Sequence, residues 1–190
     1  MAKIIIIGGG GHARSCLDVI STLKKFKFAG YIDNKLKNKK IIGKDNELHD
    51  IIKKIKYAII GIGHLKDSKK RIYLYKKLKK IGFKFPVICS PKSYISKSSQ
   101  IGEGTIVMHG AIINSSVKVG KNSIINTGAI LEHDVVIGDN CHVSTSVTIN
   151  GGAIIGKNTF IGSKSVVVNN IKIAHNKFIK ANSFIKDDIL

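Results

Sequence analysis

The sequence predicts an α/β N-terminal domain with a short parallel sheet, followed by an all-β parallel helix built from hexapeptide repeats. Two observations carry this. From Ile95 to Ile185 every sixth residue is aliphatic, and all sixteen are Ile, Val or Leu. Before residue 90, short apolar runs alternate with helical, lysine-rich stretches, the pattern of a parallel sheet covered on both sides. Ser90-Pro91 marks the change, which sets the domains at 1–90 and 91–190.

In the first domain, Ile4-Ile5-Ile6-Ile7 reads as a short, fully buried strand. Gly8 to Gly11 follow, then a helix from about His12 to Lys25. Phe28 to Ile32 is a second strand ending at Asp33. Glu47 to Lys56 is helical, Tyr57 to Ile60 a third strand, Lys69 to Lys80 a basic amphipathic helix and Phe85 to Ile88 a last short strand. This order is Rossmann-like. In the second domain the aliphatics point inward, and the slot four residues after each is small or β-branched: Ala111, Ser123, Ala129, Cys141, Ala153. Three hexapeptides form one coil of about 18 residues, and about five coils fit. The residue after each aliphatic is often Gly or Asn, as at Gly102, Asn126 and Gly162, which assigns it to a left-handed corner.

Composition excludes several classes. No apolar run reaches the ~20 residues of a membrane span, and the N-terminus has no signal-peptide pattern, so a cytoplasmic location is expected. Cys16, Cys89 and Cys141 are scattered, which excludes a disulfide framework or a CxxC zinc site; no metal is expected. The net charge is +20, and residues 1–92 hold 21 Lys and 2 Arg against 6 acids. Nucleic-acid readers lean on Arg, so a nucleic-acid partner is not expected. The plain reading of the lysines is compositional bias on solvated faces, with attraction of small anionic substrates as the alternative.

Gly8-Gly9-Gly10-Gly11-His12-Ala13 fits G-x-G-x-x-[GA] between a strand and a helix. Such glycines let the backbone approach a phosphate at a helix N-terminus, so Gly8, Gly10, Gly11 and His12 are candidate substrate-binding residues. A purely structural turn is the alternative. Asp33 ends the next strand, where it can accept a hydroxyl hydrogen bond. The domain is too short for two mononucleotide halves, which argues against a dinucleotide.

His133-Asp134 is the most suggestive pair. Leu131 points inward, so His133 lies outside the coil, and an imidazole oriented by a carboxylate can act as a general base. One coil further on, Gly151 sits over His133 with Gly152 beside it, leaving room and a backbone N–H. A plain surface histidine is the competing reading. Cys141 occupies an inward small slot and is assigned as core filler.

These stretches resemble the bacterial sugar acetyltransferases of the hexapeptide-repeat superfamily, which include the UDP-4-amino-sugar N-acetyltransferase of the bacillosamine pathway and sialic-acid O-acetyltransferases. Gly8 to Ala13 resemble the family's sugar-nucleotide loop, Tyr31-Ile32-Asp33-Asn34 its second-strand acidic motif and Gly61-Ile62-Gly63 its third-strand turn. Asn126 to Ser144 resemble its catalytic coil. The resemblance implies a left-handed β-helix, acetyl-CoA as co-substrate and a homotrimer with active sites between neighbouring β-helices. It implies His133 as base with Asp134 as its partner. Asn34, Gly61 and Gly63 would contact the nucleotide sugar, and Asn126, His142, Gly151, Gly152 and Gly162 would form the acetyl-CoA wall. The chain lacks the family's Gly-x-Pro-Ala-Lys tail and finishes Lys186-Asp187-Asp188-Ile189-Leu190. The expected activity is N-acetylation of the 4-amino group of a nucleotide-linked, UDP-type deoxysugar in surface-glycan or protein-glycosylation biosynthesis. O-acetylation of a sialic-acid-like sugar and non-catalytic nucleotide-sugar binding are the alternatives.

Overall fold

The computed structural model describes residues 1–36, 38–64 and 68–190. They divide into two compact units, Met1–Gly63 with Lys69–Pro86, and His64–Ser68 with Val87–Leu190.

The first unit contains β1 (Ala2–Ile7), α1 (Gly11–Ser21), β2 (Phe26–Ile32), β3 (Ile41–Gly43), α2 (Leu48–Lys54), β4 (Tyr57–Ile60) and α3 (Lys69–Ile81). The sheet order is β3-β2-β1-β4 and every pairing is parallel. Ile4 to Ile7 are fully buried, as expected of a central strand with both faces covered. Ile5, Ile7, Ile32, Ile60, Leu74 and Leu78 form one apolar cluster. Three sequence expectations change. The three-residue β3 was not anticipated, because so short a run carries no periodicity. Helix α1 stops at Ser21, four residues earlier than expected; Thr22 caps it, with its Oγ1–H donating to the Val19 carbonyl at 2.6 Å. The stretch expected as this domain's last strand contributes Ile88–Cys89 to the second unit, where it pairs with Ile106–Val107.

The second unit is a parallel β-helix of seventeen two-residue strands, from Ile88–Cys89 to Phe184–Ile185. They stack into three parallel sheets. Face I holds the strands beginning at 88, 106, 124, 142, 160 and 178, face II those at 94, 112, 130, 148, 166 and 184, and face III those at 100, 118, 136, 154 and 172. The second residue of each strand points inward: Ile125, Leu131, Val143, Ile149 and Ile161 are fully buried in one continuous core with Ala111, Ala129, Cys141 and Ala153.

The corners correct the assignment made from the glycines. The left-handed residue lies three positions after the inward aliphatic, not one. It is Gly104, Gly110, Ser116, Asn122, Gly128, Asp134, Asn140, and so on to Asn182, with φ between 53° and 72°. Gly, Asn and Asp tolerate that conformation best. The glycines one position after the aliphatic answer a different demand. A Cβ at Gly102 would lie 2.7 Å from the backbone of Gly120, one at Gly138 2.7 Å from the Lys157 nitrogen, and one at Gly156 2.6 Å from the Ala174 carbonyl carbon. Successive coils stack there backbone on backbone, and only hydrogen fits between them. An asparagine ladder, Asn122–Asn140–Asn158–Asn176, runs along one left-handed column with amide hydrogen bonds of 2.9–3.0 Å. At the end of the solenoid, Ile189 pairs with the strand at Ile173 and Asp188 accepts the Lys172 N–H at 2.8 Å. This covers part of the terminal coil's exposed edge.

Candidate active site

The first unit carries a cleft of about 280 Å³ at the carboxyl ends of β1 and β2, where an open α/β sheet binds its ligand. It brings together four of the predicted residues, Gly8, Gly10, Asp33 and Asn34. Ile62, from the third-strand glycine turn, and Lys35, Lys70 and Asp45, which no sequence motif singled out, complete its polar and apolar wall. Gly8 has φ +94° and its N–H donates to the Ile32 carbonyl at 2.8 Å. Gly10 is the N-cap of α1, and a Cβ there would meet nothing within 4 Å. Its lack of a side chain therefore answers no packing demand within the protein and leaves the cleft open.

Asp33 holds the loops that shape this cleft. Its Oδ2 accepts the Gly9 N–H at 2.9 Å, and its Oδ1 accepts the N–H groups of Lys35 and Leu36 at 2.9 and 3.0 Å. Partial burial pushes its carboxyl up, but the bonds from Leu36, Lys35 and Gly9 and the charge of Lys70 outweigh it, so it titrates below its ordinary value. Asn34 is likewise engaged, its Oδ1 accepting the Asp45 N–H at 3.0 Å. Gly11, His12, Gly61 and Gly63 lie outside the cleft wall. Gly61 is a packing glycine: a Cβ there would stand 2.8 Å from the Ala13 Cβ on α1. His12 has its Nε2 3.5 Å from the Cys16 thiol.

On the solenoid, His133 and Asp134 form the expected pair. The His133 Nδ1–H donates to Asp134 Oδ2 at 2.9 Å, and both side chains are well exposed, at 60% and 63%. The fold makes this contact local. Asp134 occupies a left-handed corner, φ 61°, which turns its carboxylate back onto the neighbouring ring. With Nδ1 carrying the proton, Nε2 keeps its lone pair. Gly151 stacks one coil away, and a Cβ there would sit 2.5 Å from both Cε1 and Nε2 of His133. The Gly151 N–H makes no hydrogen bond among the described residues. The Gly152 N–H donates to the His133 carbonyl at 3.0 Å, locking the two corners in register.

Asn126 and His142 form a second polar centre. The His142 Nδ1–H donates to the His64 carbonyl at 2.7 Å, so its Nε2 accepts from Asn126 Nδ2 at 3.1 Å. Asn126 Oδ1 is taken by the Thr127 N–H. His142 is buried against the edge of the Phe160 ring, centroids 5.2 Å apart. The structure does not bring this centre to His133 within one chain. His133 sits at the corner between faces II and III, whereas His142 lies on face I, across the prism, and Asn126 at the corner of faces I and II. Gly162 is a stacking glycine whose Cβ would meet the Lys180 backbone at 2.6 Å. Burial in the core pushes the Cys141 thiol up to about 12, and its Sγ lies 3.1 Å from the Gly156 carbonyl, so it is core and not a nucleophile.

The PglD N-terminal domain family matches residues 3–78, and the bacterial transferase hexapeptide family (six repeats) matches residues 116–151. No curated protein matches the sequence. Among solved structures, PerB of Caulobacter crescentus in complex with CoA and GDP-perosamine is 27% identical with a TM-score of 0.92, over 100% of this chain and 91% of that one. The acetyltransferase domain of PglB from Neisseria gonorrhoeae gives 0.94 at 22% identity, over 100% and 94%. WeeI from Acinetobacter baumannii gives 0.73 at 22%, over 97% and 96%; these last two speak to the fold. The sheet, the solenoid and these matches agree: the first unit matches the PglD N-terminal domain, the second the transferase hexapeptide repeat, and the whole chain is similar in structure to a sugar N-acetyltransferase built the same way.

Proposed function

We propose that this protein transfers the acetyl group of acetyl-CoA to the amino group of a nucleotide-linked amino sugar, with His133 as general base in a site shared between copies of the chain. The observation that carries the reading is the His133–Asp134 pair beneath Gly151. The perosamine N-acetyltransferase of similar structure was captured with CoA and a nucleotide-linked sugar, which supports both substrate classes. The 4-amino group of a UDP-type deoxysugar is the acceptor we favour, in a cytoplasmic glycan-building step.

The chemistry follows from the geometry. Asp134 accepts the Nδ1–H of His133, which leaves the Nε2 lone pair as the base. A neutral amine attacks the thioester carbonyl while Nε2 takes its proton; general bases supply about 10²–10⁴ of rate. The tetrahedral intermediate then expels the CoA sulfur, which leaves as the thiol after receiving that proton. The Gly151 N–H, which makes no hydrogen bond among the described residues, donates in this reading to the developing oxyanion. Transfer is direct, because Cys141 is buried and held as a thiol.

A second copy completes the site. His133 and the Asn126–His142 centre lie on opposite sides of one coil, and a closed ring of three protomers sets the II/III corner of one against face I of the next. Face II also presents the outward apolar row Ile112, Ile130 and Val166, none of it fully buried in a single chain. The test is thiol release from acetyl-CoA with a panel of UDP- and GDP-linked amino sugars and free sialic acids. Turnover with nucleotide amino sugars that falls in the His133→Ala variant supports the reading. Turnover with sialic acids alone, or none with any acceptor, removes it.

A further inference from the structure

The first unit is polarised. Its cleft lies at the carboxyl ends of the strands, and at the amino ends lies a field of lysines. Lys3, Lys25, Lys27, Lys56, Lys80 and Lys84 stand there, at the starts of β1, β2 and β4 and at and beyond the end of α3. All six are exposed, and none forms an ion pair among the described residues. The backbone ties them together: Lys3 is directly beside Lys27 in the β1–β2 register, and the Lys84 N–H donates to the Lys56 carbonyl at 2.8 Å.

Neither composition nor helix electrostatics explains this arrangement. Residues 93–190 of the same chain hold 9 Lys against 6 acids, whereas residues 1–92 hold 21 Lys against 6 acids; a uniform bias would have spread them. Lysines in the last turn of a helix complement its dipole, which accounts for Lys80. It does not account for Lys3 and Lys27, like charges set side by side across a strand pair, a placement that costs stability. Between them lies a shallow depression of about 320 Å³ floored by Phe28, Ala29 and Ile55. Of the two arginines before residue 92, Arg71 is buried and bonded to the Ile60 and Ile62 carbonyls, and Arg14 lies on α1 near the glycine loop. The pole is therefore lysine alone: compact, strongly hydrated point charges with no planar forks for bidentate contacts to bases or phosphates.

We infer that this lysine pole is a docking surface for an anionic lipid headgroup layer. Unpaired lysines over an apolar floor fit a diffuse negative surface with an accessible apolar boundary beneath it. Docked this way, the unit presents the cleft at the opposite ends of its strands to the aqueous side, so substrate exchange continues while the protein is held at the surface. The inference is independent of the acceptor and of the catalytic base.

The test is co-sedimentation of the intact protein with phosphatidylcholine vesicles, either pure or containing about a third phosphatidylglycerol, at ~0.1 M salt, where the screening length is still about 10 Å. Binding to the anionic vesicles and none to the neutral ones is expected. Each lysine near such a surface is worth about a fivefold factor. The variant K3Q/K27Q/K56Q/K84Q should therefore lose at least ~50-fold in partitioning, while its acetyl-transfer rate in solution, which also reports its folding, stays unchanged. The control variant K118Q/K157Q/K164Q/K172Q, altered in the solenoid, should bind nearly as the wild type does. An equal loss in the control, no binding to anionic vesicles, or tighter binding to duplex DNA than to vesicles at the same salt would overturn the docking surface.

Discussion

Replacing Gly151 by alanine probes the catalytic geometry with one methyl group. The new Cβ would stand 2.5 Å from Cε1 and Nε2 of His133 and 3.1 Å from Nδ1. Ordinary carbon contacts are about 3.5–4.0 Å, so the ring must retreat by roughly 1 Å. The His133 side chain is 60% exposed and can swing away at little cost to the fold. Gly151 is not in the left-handed region, so alanine introduces no backbone strain and shrinks the unfolded ensemble slightly. A misplacement of 1 Å is enough to cost about 10² in rate. We predict a kcat about 10²-fold lower in the thiol-release assay, with a melting temperature within a few degrees of wild type. In the double variant with His133→Ala, the alanine at 151 should add almost nothing, because the base it displaces is already gone. Wild-type turnover in Gly151→Ala, or losses that multiply in the double variant, would refute this placement of the base.

Three further outcomes follow. Gly10→Val should raise the KM for the sugar nucleotide at least tenfold, about 1.4 kcal/mol, and leave that for acetyl-CoA unchanged, because the open space at Gly10 belongs to the cleft; titration of each ligand separately checks it. Cys141→Ala should keep most activity, and with the thiol near 12 only about one in 10⁴ is thiolate at pH 8, so alkylation at that pH should label Cys141 only after unfolding, as mass spectrometry would show. Gly138→Ala forces a methyl against the Lys157 backbone and should cost about 1–3 kcal/mol of stability by thermal unfolding, whereas Ser146→Gly, in a left-handed corner outside the asparagine ladder, should cost less.

The solenoid was legible because its period is strict. An aliphatic every six residues buries a continuous core, and that regularity also placed Gly151 over His133 before any coordinates. What periodicity could not distinguish was why a glycine stands at a corner. Gly102 and Gly138 read as conformational glycines, yet they are spacers between stacked coils, and the left-handed duty falls on residues such as Asn140 and Asp134. The cleft was half legible. The glycine loop and Asp33 announced it, but the sequence reads Asp33 only as a ligand contact, whereas in the fold it lines the cleft and also staples three backbone N–H groups. Lys70 and Asp45 reach the cleft from α3 and from the loop before α2, carried there by topology that no local motif encodes. The resemblance assigns His142 to the same site as His133; nine residues, one and a half hexapeptides, carry it to the far side of the coil within one chain.

That separation makes a site built by two copies of the chain around His133 open to a complementation experiment. Protomers carrying His133→Ala and protomers carrying His142→Ala should each assemble into trimers of very low activity. Co-refolded in equal amounts, they should recover about a quarter of the wild-type turnover, since random assembly pairs an intact His133 with an intact His142 across that fraction of interfaces. A mixture no more active than its two parents would contradict the account, because it would place both histidines' work within a single chain.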